Sequence, residues 1–379
     1  AHVCAGGPER LAGVWGPERR AAAQAAFRAT GVGYAEDTWS KVQARLDSFG
    51  EGWVTADRGA CEGHRSGELS GALYDRAVAC LDAGRRELGA LAQALAAADA
   101  AAVEKAVKAA ERLPRPERCV DREALLAAVR PPDDPDTAAA VDAIRDQIAL
   151  IRADILLSRT QRCDELPALG ERAGPLEYRP LLAELAAVRG ACAEVRGDYA
   201  GAAALLRGAF AQALAAGDDA SALEVSLRLA HILAFRLSSF AEANTWLDLA
   251  DALVERAGGR EDLRARVLIG RSGLALTEGK PSESLGFTDQ ALAILERSGG
   301  PPTTEVAIVL NNRAAALIRL GDRGSVTADF ERALAIYRET LGREHPDTGL
   351  LLTNVGNIRA FSGDLAGAEA IQREALALK

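Results

Sequence analysis

Gly197-Asp198-Tyr199-Ala200-Gly201-Ala202 is a phrase that this chain of 379 residues keeps repeating. It returns as Ser238-Ser239-Phe240-Ala241-Glu242-Ala243, then as Gly279 to Ser284, Gly321 to Val326, and Gly363-Asp364-Leu365-Ala366-Gly367-Ala368. The offsets are 41, 41, 42 and 42 residues, and a weaker copy, Ser158 to Cys163, stands 39 residues before the first. A fixed period of this size is the mark of a solenoid, in which each unit stacks only on its neighbours. Solenoids of helical hairpins present a long surface that binds other chains.

The phrase reads as a turn between two helices. Its glycine can end the first helix in the left-handed conformation, and Asp198 or Asp364 can offer a carboxylate to the free amides of the second. Twelve residues after each phrase begins stand Ala209, Ala250, Ala291, Ala333 and Ala375, and seven residues before it stand Gly190, His231, Ser272, Ala314 and Gly356. Small side chains at matching places let two helix axes approach closely. His231 breaks this pattern, and Leu237-Ser238-Ser239-Phe240 lacks the turn glycine, so irregular packing is expected in the second and third units. Leu181, Leu182, Leu185 and Val188, like Ile308, Leu310, Ala314, Leu317 and Ile318, follow a helical period without strand-like alternation.

The expected fold is therefore all-α, with an N-terminal helical domain over residues 1–130 and a right-handed α-α superhelix of about six hairpins over 137–379. Helical stretches are expected near Pro17 to Thr30, Ala35 to Arg65, Leu69 to Ala98 and Ala101 to Leu113. Prolines in the stretch Val129 to Asp136 interrupt the helical pattern between the two regions. Composition is that of a globular protein, with 49% apolar and 26% charged residues. The absence of methionine, even at position 1, suggests an excised or processed chain, and the abrupt end after a second helix suggests continuation.

A net charge of −9, with 54 acids against 45 bases, argues against a nucleic-acid partner, and 4% aromatics leave little for base stacking. No run of about 18 apolar residues is present to insert in a membrane. Enzyme motifs fail on inspection. Gly31-Val32-Gly33 lacks the third glycine of a phosphate loop, Gly279-Lys280-Pro281 misses the P-loop pattern, and Gly270-Arg271-Ser272-Gly273 lacks a preceding strand. Cys61-Glu62-Gly63-His64 supplies two ligands where structural zinc takes four. No catalytic residue, cofactor or metal is expected, and His345 reads as a turn residue before Pro346.

The small residue late in the first helix, the Gly-Asp-Tyr turn and the paired alanines, Ala202 with Ala209 and Ala368 with Ala375, resemble the tetratricopeptide repeat. The longer unit is similar to the 42-residue repeats of kinesin light chains, through the loop Leu341-Gly342-Arg343-Glu344-His345-Pro346 and the pair Asn311-Asn312. In that family the ligand-facing residues lie on the first helix of each pair, which implies Arg228, Phe235, Arg266, Asn311, Asn312, Asn354 and Asn357 as a groove for a protein or peptide. Asparagine can pair with both the donor and the acceptor of a ligand backbone, and arginine can hold a carboxylate. The alternative for these residues is a solvated face or a brace between repeats.

Over the whole chain, Cys4, Leu11 to Trp15 with Arg19-Arg20, Ala26 to Gly31, Trp39, Trp53, Cys61, Cys80-Leu81-Asp82 and Leu113-Pro114 resemble the segment after the kinase domain in serine/threonine protein kinases of myxobacterial type. The resemblance implies a non-catalytic, sensory or scaffolding module of such a kinase, outside the cytoplasm of a membrane-anchored bacterial protein. A free-standing cytoplasmic adaptor is the alternative. Cys61 and Cys80 stand nearly equidistant from the turn signal at Ser66 to Gly71, so antiparallel helices would set them opposite each other. With the receptor-like resemblance, disulfides Cys61–Cys80 and Cys4–Cys119 are expected among about fifteen possible pairings, against free buried thiols. Cys163 and Cys192 read as plain packing.

Overall fold

The computed structural model describes residues 4–299, 303–322, 324–361 and 363–377. Among them are eighteen α-helices, three short 3-10 helices and no strand. In order, the helices are α1 (Gly7–Trp15), α2 (Pro17–Ala29), α3 (Ala35–Ser66), α4 (Gly71–Leu95), α5 (Ala100–Glu111), α6 (Arg122–Ala127), α7 (Pro135–Leu156), α8 (Leu166–Ala173) and α9 (Arg179–Val195). Then come α10 (Tyr199–Ala215), α11 (Asp219–Phe235), α12 (Phe240–Arg256), α13 (Glu261–Thr277), α14 (Pro281–Arg297), α15 (Thr304–Leu320), α16 (Val326–Thr340), α17 (Pro346–Phe361) and α18 (Leu365–Ala377). The chain forms two compact units, one reaching Ser221 and one beginning at Ala222.

The first unit is built on the long α3–α4 hairpin. Gly67 ends α3 in the left-handed conformation and Ser70 caps α4 through the Leu73 amide. Ala56, Ala60 and Gly63 on α3 and Leu73, Ala77 and Leu81 on α4 are all buried, and Leu69 of the turn packs over Gly63. Trp53 is fully buried, and its indole N–H donates to the Leu81 carbonyl at 2.7 Å. Trp39 packs edge-on against Phe27 at 5.4 Å, while the Trp15 indole N–H reaches Asp47 at 2.7 Å. The Trp15 and Trp53 indoles thus pair an apolar body with a satisfied N–H, whereas the buried Trp39 N–H has no hydrogen-bond partner.

Pro135 opens α7 at a position where its missing N–H costs nothing, and Asp134 caps the Thr137 amide at 2.8 Å. The prolines break the helix but not the packing. Arg86 of α4 reaches Asp142 at 2.9 Å and Asp146 at 2.7 Å on α7, and Arg159 donates to the Ala94 and Ala97 carbonyls at the end of α4. The first compact unit accordingly runs on through α7, α9 and α10.

The cysteines pair as Cys4–Cys61, Cys80–Cys119 and Cys163–Cys192. The expected Cys61–Cys80 and Cys4–Cys119 bridges are corrected by this pairing, and so is the reading of Cys163 and Cys192 as unlinked packing. Equal distance from a turn sets two residues at one level along a hairpin but says nothing of their direction around each helix. Cys61 and Cys80 stand one residue off the stripes that close α3 on α4, about 100° round the axis, so each turns to a flanking segment instead. Cys61 meets the N-terminal segment before α1. Cys80 meets the 3-10 helix Pro116–Val120.

The repeated turns carry the phrase. Ser158, Gly197, Ser238, Gly279, Gly321 and Gly363 all have positive φ, between 53° and 88°. Asp198 accepts from the Gly201 amide and Asp364 from the Gly367 amide, each at 2.9 Å. The repeating alanines of the second helices are buried, Ala209, Ala250, Ala291 and Ala333 fully and Ala375 nearly so. At Gly190 a Cβ would stand 2.7 Å from Leu206 Cγ, so the α9–α10 crossing admits no side chain there. Ala333→Leu is expected to overpack the corresponding crossing and cost about 1–3 kcal/mol, with faster hydrogen exchange confined to adjacent hairpins. Uniform loosening along the chain would contradict the repeat architecture.

Burial in the first helices of the second unit repeats at 42 residues over most of their central positions, which puts Ala230, Ser272, Ala314 and Gly356 at one position. Ala230 is buried and His231 exposed. The small residue of α11 is therefore Ala230, and His231 does not occupy that place. The displacement arises in the turn, where the Ser239 amide bonds the Leu233 carbonyl, one residue further back than Lys280 to Ala275 or Asp322 to Leu317. One extra residue is taken up between α11 and α12. In the loop before α17, His345 is fully buried, its Nδ1 accepts the Asp347 amide at 3.1 Å, and Pro346 begins the helix.

Candidate functional site

The 42-residue register lines up the solvent-facing stripe of α11, α13, α15 and α17. Residues four apart share a helix face, so the stripe reads Glu224, Arg266, Ile308, Leu350 at one level and Arg228, Gly270, Asn312, Asn354 at the next. His231, Gly273, Ala315, Asn357 follow, then Phe235, Thr277, Arg319, Phe361. All seven groove residues expected from the sequence lie on these four helices.

They are not equally available. Arg266 is engaged with Glu224, one repeat earlier, through both guanidinium nitrogens, one at 2.7 Å. That hydrogen bond, aided by the Glu224 charge and opposed by burial, raises the Arg266 pKa. Arg266 is thus a brace between hairpins, not an open carboxylate clamp. Asn312 also spans two hairpins, its Nδ2 donating to Ser272 Oγ at 3.3 Å. Asn357 accepts from Gln372 of its own hairpin at 3.1 Å. Phe235 is 42% exposed, tilted on His231 with centroids 4.8 Å apart, and lies over Gly273, where a Cβ would come within 2.9 Å of the ring. Arg228 and Asn311 are half-buried. Asn354 is half-buried and its side chain makes no hydrogen bond among the described residues.

Sequence reasoning named Phe235 but missed the other large apolar members of the stripe. Ile308 and Leu350, 37% and 66% exposed, are four residues before Asn312 and Asn354, and Phe361 is 72% exposed at the end of the same face. Their signal was present as two large apolar residues 42 apart where the preceding copies carry Glu224 and Arg266. The repeated brace of Arg271 and Arg313, also 42 apart, was missed as well. Arg271 holds Asp248 at 2.7 Å and Asp251, and Arg313 holds Asp289 at 2.8 Å and Asp329 at 2.9 Å.

The stripe changes character along its length. Around α11 and α13 a closed ion pair occupies it. Around α15 and α17 it offers exposed aliphatic side chains with amides beside them, an arrangement that can bury a ligand's apolar side chain while pairing with its backbone. Elsewhere, His64 stacks on Tyr74 at 4.4 Å, and among the described residues no group of three metal-ligating side chains gathers. No described helix is long and apolar enough to cross a membrane.

Residues 305–379 match the tetratricopeptide repeat family model. The clustered mitochondria protein of Arabidopsis thaliana is 31% identical over 123 residues, which is 31% of this chain and 8% of the plant protein's length. The chain thus spans only a small part of that relative. Among solved structures, the apo form of RapI is similar with a TM-score of 0.53 at 12% identity, covering 81% of this chain and 76% of that one. Aspartyl phosphate phosphatase F from Bacillus subtilis is similar with a TM-score of 0.51 at 11% identity, covering 99% and 94%. At these identities the likeness is one of fold. The chain is an all-α repeat protein, and its residues 305–379 are similar to tetratricopeptide repeats.

Proposed function

We propose that the chain is a non-catalytic module that binds a protein or peptide along α15 and α17, and that it serves as the sensory or scaffolding part of a serine/threonine protein kinase. The observation that carries the binding reading is the pairing of exposed Ile308 and Leu350 with Asn312 and Asn354 at one register 42 residues apart. An extended ligand laid across these helices meets the same pair of groups twice. Three disulfides, which persist in oxidising compartments, support a location outside the cytoplasm over a cytoplasmic adaptor. The kinase assignment rests on the resemblance of the N-terminal region.

The test is a peptide array probed with wild type and with Leu350→Ser/Asn354→Ala at equal folded concentration. Loss of one neutral hydrogen bond is worth about 0.5–1.5 kcal/mol, so with the lost apolar contact capture is expected to weaken by at least about tenfold while helicity stays unchanged. Asn312→Ala is a poorer probe, because it also removes the partner of Ser272. Unchanged capture by the double variant would move the binding surface to another face.

A further inference from the structure

At each hairpin crossing of the repeats, three positions meet: the small residue of the first helix, the last residue of the turn phrase, and the residue four beyond it. In α9–α10 they are Gly190, Ala202 and Leu206, in α11–α12 Ala230, Ala243 and Leu247, and in α15–α16 Ala314, Val326 and Phe330, all buried. In α13–α14 they are Ser272, Ser284 and Thr288, each 0% exposed. In α17–α18 they are Gly356, Ala368 and Gln372. Three hydroxyls stand where α9–α10, α11–α12 and α15–α16 are apolar, and a threonine stands where those three place leucine or phenylalanine.

The hydroxyls are incompletely satisfied. Ser272 Oγ donates to the Ile269 carbonyl at 2.8 Å and accepts from Asn312, and Thr288 Oγ1 donates to the Leu285 carbonyl at 2.9 Å. Ser284 Oγ is buried with no hydrogen-bond partner. A buried hydroxyl without a partner carries its full desolvation cost, and a smaller side chain at the large position forfeits packing. The helices add to this. α13 contains Gly270 and Gly273 and α14 contains Gly286, whereas α11, α12, α15 and α16 have no glycine. Interior glycine weakens a helix through backbone entropy.

The outward ties of α13 are strong by contrast. Arg271 binds Asp248 and Asp251 on α12, Arg319 of α15 donates to the Leu276 carbonyl, and Asn312 of α15 reaches Ser272. α13 is held to both neighbours, while its crossing with α14 lacks a large apolar side chain and carries an unpaired hydroxyl. We propose that the α13–α14 crossing is a built-in hinge of the second unit, opening locally ahead of the hairpins on either side and letting the stack flex between α12 and α15. Stability in a stacked array is a sum of hairpin and interface terms, so one weak hairpin sets where such an array yields.

The test is native-state hydrogen exchange on the full chain, comparing amides of residues 265–276 and 286–294 with those of 307–317 and 330–337. The α13–α14 amides are expected to exchange on the order of tenfold faster. Ser284→Ala, which restores the residue found in three other crossings and adds no bulk, is expected to slow them selectively, and Ser284→Ala/Thr288→Leu to slow them further. Equal protection across the two hairpins would overturn the hinge, as would a Ser284→Ala variant whose α13–α14 exchange is unchanged or faster. The single variant keeps the test decisive where leucine at 288 does not fit.

Discussion

Replacing Cys80 and Cys119 together by alanine is expected to destabilise the first unit by about 4 kcal/mol, the loop-closure value for the 39-residue separation. The effect acts chiefly through the unfolded chain, which gains the freedom that the cross-link removes. In the folded state the bond pins the 3-10 helix Pro116–Val120 against the α3–α4 hairpin, where Pro116 is buried and lies near Gly52 of α3. Denaturant unfolding followed by the fluorescence of Trp15, Trp39 and Trp53 reports on this unit. A midpoint unchanged in the double variant would show that the bond constrains nothing. In the parent chain, alkylation without reductant after unfolding is expected to label no cysteine, and labelling of any pair would contradict the three bonds.

Arg313→Met is expected to cost about 3–5 kcal/mol, because it leaves Asp329 as a buried carboxylate without the guanidinium that hydrogen-bonds it, Arg332 remaining as a more distant positive charge. The Asp329 side chain is 8% exposed and receives Arg313 at 2.9 Å. Burial pushes the Asp329 carboxyl above its ordinary value of 3.8, with Arg313 pulling the other way. An acid whose folded pKa lies above its unfolded one binds protons more readily when folded. Its contribution to stability is therefore greatest below 3.8 and falls as pH rises through the raised value. Removing Arg313 widens that window, so the loss in the variant is expected to be largest near neutral pH and to shrink toward pH 4. Asp329→Asn removes the buried charge and is expected to cost less than Arg313→Met. Equal losses at both pH values, or a larger loss for Asp329→Asn, would place the stabilisation elsewhere than in this pair.

The repeat was legible because backbone geometry demands it. A left-handed turn and a close helix crossing each tolerate few residue types, and Gly197, Gly279, Gly321 and Gly363 with the buried alanines stand where those demands fall. What escaped was whatever depends on direction around a helix or on a change of length in a turn. The one-residue excess after α11 moved the small position from His231 to Ala230, which a turn-anchored alignment cannot see. The cysteine partners lay off the stripe that closes the hairpin, which spacing alone does not encode. Of the candidate stripe, the helix and level were legible, since Asn312 and Asn354 are one period apart. Their availability was not, because Ser272 and Glu224, which occupy Asn312 and Arg266, belong to neighbouring units and are brought near only by stacking.

The order of the three cystines has a consequence for how the chain is made. Cys4 joins Cys61, Cys80 joins Cys119 and Cys163 joins Cys192, so each bond closes before the next cysteine in sequence is reached. A chain that emerges N-terminus first into an oxidising compartment can finish each bond with the two cysteines most recently exposed. In that order no thiol has to wait for a partner beyond the next cysteine in sequence. In such a compartment the order of synthesis would take the place of proofreading, and the repeats from Ala222 onward, which contain no cysteine, would emerge after the last bond has had its chance to form.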